Sequence, residues 1–227
     1  MHQAEITINF PAAVRAVSLS QTAVHDVDLT IKTALTEAFG GPAMRPWSVL
    51  RQKGPNVTIV GYSTLDADVL RERLSLATPA IRNAVANIAS APVVIRAGQQ
   101  ARFSVRLTPT VHVTGRGEKD AFLRAPPGTI REQVYADYLT ERLRGASVNI
   151  VRMGRFRLEK MTRPHRGDKA PASGLASRIV PDAVLEGILT VDDAAAFAET
   201  LAAGVGRQRA YGRGFIRLEP VALEQAA

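Results

Sequence analysis

Polar and apolar positions alternate with period two over residues Glu5 to Phe10, which predicts a strand. Residues 11–25, rich in Ala, Ser and Val, read as a connector. The period then changes. Val27, Ile31, Ala34, Leu35, Ala38 and Phe39 recur at helical spacing and predict a helix from Val27 to Phe39. Asp26 or Asp28 can cap its start, and Gly40-Gly41-Pro42 stops it. Ser48 to Lys53 and Asn56 to Ser63 read as two strands joined by a tight turn at Gly54-Pro55. Asp66 to Ser75 is a short amphipathic helix. Pro79 interrupts it, Ala80 to Ile88 resumes it, and Pro92 to Ile95 is a short strand. Strand, helix, strand, strand, helix, strand is the order of the split βαβ, or ferredoxin-like, unit, in which two helices cover one face of a four-stranded antiparallel sheet.

Ala97-Gly98-Gln99-Gln100 is the predicted boundary, giving units 1–98 and 99–227. Beyond it Arg102, Ser104, Arg106 and Thr108 alternate with Phe103, Val105 and Leu107, a half-buried strand. Val111 to Val113 extends it past Pro109, and residues 115–128 read as loop. Thr129-Ile130-Arg131-Glu132 has the form of a capping box, with Thr at the N-cap and Glu at the third helical position. The helix that follows runs to about Leu143, with Val134, Tyr135, Tyr138, Leu139 and Leu143 inward. Ser147 to Lys160 and Arg178 to Val191 are long strands, and residues 162–177 form a protruding tip between them. Asp192 or Asp193 caps a last helix, Ala194 to Ala203, before a final strand from Gly212 to Pro220. The second half thus repeats the element order of the first without a residue-level repeat. The expected fold class is α+β, two tandem ferredoxin-like (RRM-like) domains. The second carries the basic hairpin and a Gly-rich loop.

At 227 residues, 46% hydrophobic and 22% charged, the chain has the composition of an ordinary globular protein. It has no apolar run of about 18 residues to span a membrane. A basic segment followed by an apolar one, the mark of a secretory signal, is also missing from its start. A cytoplasmic location is expected. The absence of cysteine removes disulfides, thiolate zinc sites and cysteine nucleophiles. Charge changes the picture more. Twenty-nine Lys and Arg stand against 21 Asp and Glu, net +8, which points to a polyanionic partner, nucleic acid before membrane. Arg152, Arg155, Arg157, Lys160, Arg163, Arg166, Lys169 and Arg178 face only Glu159 and Asp168 in the same stretch, so +6 of the +8 lies there. A solvated loop with strand flanks is the bland account, and the clustering favours nucleic acid over it.

Candidate chemistry is sparse. His2, His25, His112 and His165 show no metal-ligand spacing, and no HExxH, GxSxG or P-loop pattern occurs. The pairs Asp66/Asp68 and Asp192/Asp193 sit at helix starts and read as caps. Nothing calls for a metal or a cofactor. The strongest local signal is Gly204-Val205-Gly206-Arg207-Gln208-Arg209-Ala210-Tyr211-Gly212-Arg213-Gly214. Glycines permit positive φ and close backbone approach. Successive N–H groups in such a turn can form an anion nest, and its arginines add bidentate phosphate contacts. A connector that lets the last strand pack closely is the alternative. The interleaved arginines and Tyr211 favour RNA backbone.

These residues carry a family resemblance. Glu186-Gly187-Ile188-Leu189-Thr190-Val191, a short helix, and the Gly204–Gly214 loop resemble the C-terminus of the CRISPR repeat-processing endoribonucleases of the CasE type. Phe103-Ser104-Val105-Arg106-Leu107-Thr108-Pro109 is similar to that family's F-x-L-R-A-N-P strand. Gly98-Gln99-Gln100 is similar to the G-Q before it, and Tyr138-Leu139-Thr140-Glu141-Arg142 to its W-L-x-R/K helix. The resemblance spans nearly the whole chain.

It implies two tandem ferredoxin-like domains and cleavage of precursor CRISPR RNA at the base of the repeat stem-loop. It further implies a metal-independent attack by the RNA's own 2′-hydroxyl that leaves a cyclic phosphate. Such a step needs a base, an acid and cations for the phosphorane, with attacking and leaving oxygens held in line. Retention on the product would make the protein a subunit of an RNA-guided effector complex. The implied partners are the crRNA 3′ stem-loop and other CRISPR subunits. The family's first helix carries a Tyr and, three residues on, a catalytic His. Aligned on Phe39, those positions are Leu29 and Lys32. The catalytic candidates are therefore Lys32, as phosphorane-stabilising cation, and His25, whose type titrates near neutrality. A lysine serves as base only if its pKa falls well below about 10. The RNA-binding candidates are Arg155, Arg157, Lys160, Arg163, His165, Arg166, Lys169 and Arg178 on the hairpin, and Gly204, Gly206, Arg207, Gln208, Arg209, Tyr211 and Arg213 in the loop. Arg155, Arg157 and Glu159 are expected on one sheet face. A-form RNA offers mainly phosphates and 2′-hydroxyls. A hairpin-binding subunit that does not cut is the alternative.

Overall fold

The computed structural model describes residues 1–18, 26–41, 43–115, 117–164 and 175–220. His25, His165, Arg166 and Lys169 lie outside them. Two four-stranded antiparallel sheets organise the chain. The first takes β1 (His2–Asn9), β2 (Trp47–Lys53), β3 (Asn56–Ser63) and β4 (Val85–Pro92) in the order β2-β3-β1-β4. The second takes β5 (Gln100–Leu107), β8 (Ala146–Pro164), β9 (Leu175–Val191) and β10 (Ile216–Pro220) in the order β10-β5-β9-β8. Numbered within each unit, both orders are 4-1-3-2 or its reverse, the ferredoxin-like topology twice over. A two-stranded ribbon, β6 (Thr110–Val113) with β7 (Gly117–Asp120), is inserted in the second half.

Period-two burial explains the first sheet. Ala4, Ile6 and Ile8 are buried on β1, and Ile6 lies between Ile59 and Ile88 on the neighbouring strands. Helices α1 (Phe10–Ser18), α2 (Val27–Phe39), α3 (Ala67–Ser75) and α4 (Pro79–Ala84) contribute to the core around them. Helix α2 has the expected bounds because its end signals are local. The Asp26 carboxylate accepts from Leu29 N at 3.0 Å, and Gly40, at φ 73°, donates back to Thr36 O. In the second half α5 (Arg131–Thr140) and α6 (Ala194–Ala203) supply Tyr135, Tyr138, Leu139, Phe197 and Leu201 to a second core. That core also takes Val60 and Tyr62 from β3. Tyr62 packs against Phe215 with ring centroids 4.7 Å apart and planes tilted by 37°, and donates its hydroxyl to Ile216 O at 2.8 Å. Burial raises its pKa. The two sheets are thus joined through packed aromatics.

Four local readings are corrected. Residues 10–18 are helix rather than connector: Asn9 Oδ1 accepts from Ala12 N at 3.0 Å, and Pro11 sits in the first turn where its missing N–H costs nothing. The helical reading of residues 80–88 ends at Ala84, and the last strand of the unit is Val85–Pro92 instead of Pro92–Ile95. Pairing of Ala89 with Glu5 and Ile88 with Ile6 draws this segment into the sheet. Residues 115–128 contain β7 and a 3₁₀ turn capped by Asp120. The capping box does not form. Ile130 occupies the N-cap, Thr129 Oγ1 donates to Pro126 O, and Glu132 accepts from Met153 N on β8 at 2.7 Å. No helix among the described residues is long and apolar enough to cross a membrane.

Candidate functional site

Strands β8 and β9 are 19 and 17 residues long, but β5 pairs with β9 only from Ala183 to Thr190. Residues 157–164 and 175–182 therefore extend as a two-stranded arm beyond the sheet. The arm carries Arg157, Lys160, Arg163 and Arg178. One face bears Arg157, Glu159 and Met161 against Asp182, Val180 and Arg178, and the buried Met161 and Val180 show that it packs inward. The other bears Leu158, Lys160 and Ile179, with Leu158 and Ile179 exposed.

Arg155 and Arg157 share a face, and their partner is Asp182. Its Oδ2 accepts from Arg155 at 3.2 Å and from Arg157 Nε at 3.0 Å. Arg157 also reaches Glu159 at 2.6 Å. Both side chains remain about half exposed. Asp182 is fully buried, and its Oδ1 accepts from Arg106 Nε at 2.6 Å. Burial works to raise the Asp182 pKa, but Arg106, Arg213 and Arg155 outweigh it, and the carboxyl sits below its ordinary value. Burial likewise opposes the charge on Arg106, and Asp28, Asp182 and Glu159 reverse it and raise its pKa.

The Gly-rich loop lies at the same place. Arg213 is fully buried. Its Nη2 donates to Glu159 at 2.5 Å, and its Nη1 donates to the Asp28 carboxylate and to Tyr211 O. An RNA-facing Arg213 was expected. The structure places it inside, where Asp28, Glu159 and the Tyr211 carbonyl accept from its two Nη groups. Arg207, Gln208, Arg209 and Tyr211 are nearer the surface, while Val205, Gly212 and Gly214 are buried. Gln208, at φ 62°, begins a 3₁₀ turn over Arg209–Tyr211. Arg209 donates to Ala203 O at the end of α6. Arg207 pairs with Glu118 of β7 at 2.6 Å, and Arg178 pairs with the same carboxylate. Burial would raise the Glu118 pKa, and the two arginines bring it below normal.

The loop glycines meet close neighbours. A Cβ on Gly214 would stand 2.2 Å from Val205 O, and one on Gly212 2.7 Å from the Trp47 ring. On Gly204 it would stand 2.8 Å from Pro46, and on Gly206 3.2 Å from the Tyr138 hydroxyl. Close packing therefore accounts for these glycines. Trp47 Nε1 donates to Ala210 O at 3.2 Å and ties the loop to β2.

Of the two catalytic candidates, Lys32 is described. It lies one turn after Asp28 on α2, and its ammonium sits 5.5 Å from the Tyr211 ring centroid. Residues that the sequence separates by almost the whole chain are thus brought together. Sequence reasoning missed Asp28, Glu159 and Asp182 as partners of the arginines. The sequence places Glu159 on the face of Arg155 and Arg157, and which acid meets which arginine is a matter of strand register.

Tandem ferredoxin-like units joined by a buried ionic cluster, with a Gly-rich loop set against the first long helix, define the class of fold. A family model described as CRISPR associated protein matches residues 3–220, and the chain belongs to that family. Among solved structures it is similar to the CRISPR endoribonuclease Cse3 bound to a 19-nucleotide RNA, with 18% identity, 97% of this chain and 100% of that one covered, and TM-score 0.65. It is also similar to the CRISPR-associated protein Cas6e of Escherichia coli K-12, with 19% identity, 97% and 100% coverage and TM-score 0.59. A chain of a CRISPR RNA-guided surveillance complex in a pre-nicking state matches at 12% identity, 97% and 100% coverage and TM-score 0.62. At these identities the likeness is one of fold. No protein of curated function matches the chain.

Proposed function

We propose that the protein is an endoribonuclease that binds the stem-loop of a CRISPR repeat RNA and cuts it at the stem base. The observation that carries this reading is the Lys32 ammonium held against Tyr211 at the Gly-rich loop, at the position where the resemblance places the family's catalytic histidine. Membership of the CRISPR-associated family and the fold shared with Cse3 and Cas6e support it.

In the proposed reaction the 2′-oxygen bonds to the adjacent phosphorus, the bond from phosphorus to the 5′-oxygen breaks, and a 2′,3′-cyclic phosphate remains. The 2′-hydroxyl gives its proton to a base, for which His25 is the candidate, and the 5′-oxygen takes one up as it leaves. Lys32 stabilises the phosphorane charge, and its ammonium can supply the leaving-group proton. Neither metal nor cofactor takes part. Arg155, Arg157, Lys160, Arg163 and Arg178, with His165, Arg166 and Lys169, grip the stem, mainly through phosphates. Arg207 and Arg209 lie near the scissile phosphate, and Gln208 and Tyr211 contact the RNA beside them. The protein then stays on the 3′ stem-loop as a subunit of an effector complex.

The test is incubation with the repeat RNA of the same genome, in EDTA, on a denaturing gel, with Lys32→Ala and His25→Ala alongside and binding measured on the same samples. One cut at the stem base with a cyclic-phosphate end is expected, lost in a variant that still binds. Binding without any cut leaves the second reading, a hairpin-holding subunit. Its favouring observation is that a lysine stands where the resemblance calls for histidine.

A further inference from the structure

Arg213 does more than fill a buried hole. Its Nη1 donates at once to the carboxylate of Asp28, in the first turn of α2, and to the carbonyl of Tyr211, in the Gly-rich loop, the latter at 2.6 Å. Lys32 is four residues after Asp28, hence one helical turn along the same face. The Tyr211 ring is on the residue whose carbonyl the same nitrogen holds. One guanidinium nitrogen therefore links the backbone segments that carry both members of the Lys32–Tyr211 pair.

We propose that Arg213 and Asp28 are positioning residues. Their bond sets α2 against the Gly-rich loop and so fixes where the Lys32 ammonium stands. This rests on the reading of Lys32 as a catalytic group.

The surroundings fit a locating role. Arg213 Nη2 is anchored to Glu159 on the arm, and Glu159 and Asp182 are both bonded to Arg106. The anchor thus rests on paired strands, Glu159 and Asp182 on the arm and Arg106 on β5. A second carboxylate at the same helix end acts in parallel: Asp26 Oδ2 accepts from Thr162 N on the arm at 2.9 Å. The start of α2 is held by the second unit on two sides. Fork geometry matters here, because guanidinium donates to several acceptors in fixed directions and ammonium does not. A lysine at position 213 keeps the charge and loses the simultaneous hold.

The experiment uses the full-length protein with Arg213→Lys, Asp28→Asn and Asp28→Glu. Three quantities are read: single-turnover cleavage of repeat RNA, its Kd, and acetylation of Lys32 by an amine-reactive acetyl ester, mapped by mass spectrometry and normalised to the exposed Lys53. The fold is followed by far-UV circular dichroism and its thermal melt. Cleavage is expected to slow at least tenfold in Arg213→Lys and Asp28→Asn, with Kd within about threefold and the dichroism spectrum unchanged. Lys32 acetylation should rise several-fold, and Asp28→Glu should recover part of both. Should Arg213→Lys fail to fold, Asp28→Asn still decides, since Arg213 then keeps Glu159. Unchanged Lys32 acetylation in the folded variants overturns the positioning role, whatever happens to the RNA. A wild-type protein that cuts nothing, with Lys32 acetylation rising in the variants, upholds the positioning and removes the catalytic reading beneath it.

Discussion

The Asp26 carboxylate serves two elements from different halves of the chain: Oδ1 accepts from Leu29 N of its own helix at 3.0 Å, and Oδ2 accepts from Thr162 N of the arm at 2.9 Å. A helix cap is thereby also a tie between the first unit and the basic hairpin. Asp26→Ala removes both bonds and is expected to cost roughly 1–3 kcal/mol, the range for a lost cap plus an unpaired backbone donor. Asp26→Ser keeps a cap acceptor and gives up the second bond, so it should fall between the two. Urea denaturation with an unchanged m-value reads the difference.

Asp182 tests the ionic cluster through pH. Its folded pKa lies below the ordinary 3.8 because of Arg106, Arg213 and Arg155. The stability this contributes is complete above about that value and is lost as pH falls through the lower folded value. Asp182→Asn leaves buried and half-buried arginines short of an acid and is expected to cost about 3–5 kcal/mol at neutral pH. For a chain of this size that lowers Tm by on the order of 10 °C. The gap between wild type and variant should stay constant from pH 7 down to about 4 and narrow below it. A gap that stays constant to pH 2 would show that the carboxylate is not stabilised in this way.

The loop glycines separate packing from backbone conformation. Gly214, at φ 75°, would drive a Cβ to 2.2 Å from Val205 O, while Gly98, at φ 78°, has nothing within 4 Å. Gly98→Ala should cost about 1–2 kcal/mol, the left-handed backbone term alone. Gly214→Ala adds overpacking, for roughly 2–5 kcal/mol in all. Equal losses in the two variants would mean that the close approach is not a constraint.

Salt dependence reads the proposed grip. With Arg163 on an RNA phosphate, Arg163→Ala should reduce the slope of log K against log salt concentration by about 0.7–0.9. Arg213→Lys should leave that slope unchanged, since Arg213 is buried against Asp28 and Glu159. A comparable fall in both would return Arg213 to the RNA surface.

Much of the element order was legible because its signals are local. Asp26 and Gly40 bound α2, Asp193 and Gly204 bound α6, and Gly54-Pro55 turns β2 into β3. Local signals also misled. Thr129 and Glu132 have the spacing of a capping box, but Glu132 finds Met153 N across the α5–β8 contact, and Thr129 turns back to Pro126. Residues 85–90 have no strong period of their own and become a strand because β1 has a free edge to pair.

The same division runs through the candidate site. The sequence alone determined that the chain is basic, that the basic residues cluster between Arg152 and Arg178, and that a Gly-rich, Arg-rich loop precedes the last strand. These are properties of composition and spacing. Only the tertiary structure decided which of those arginines meet acids of the chain itself. Arg155 and Arg157 lie over Asp182 because the β8–β9 register sets them there, and Arg213 lies inside because the loop folds back to α2. An arginine reads alike in sequence whether it is turned outward or bonded to a buried carboxylate. Its role is set by long-range pairing, since a charge loses its hydration on burial and must find a partner that local sequence does not reveal.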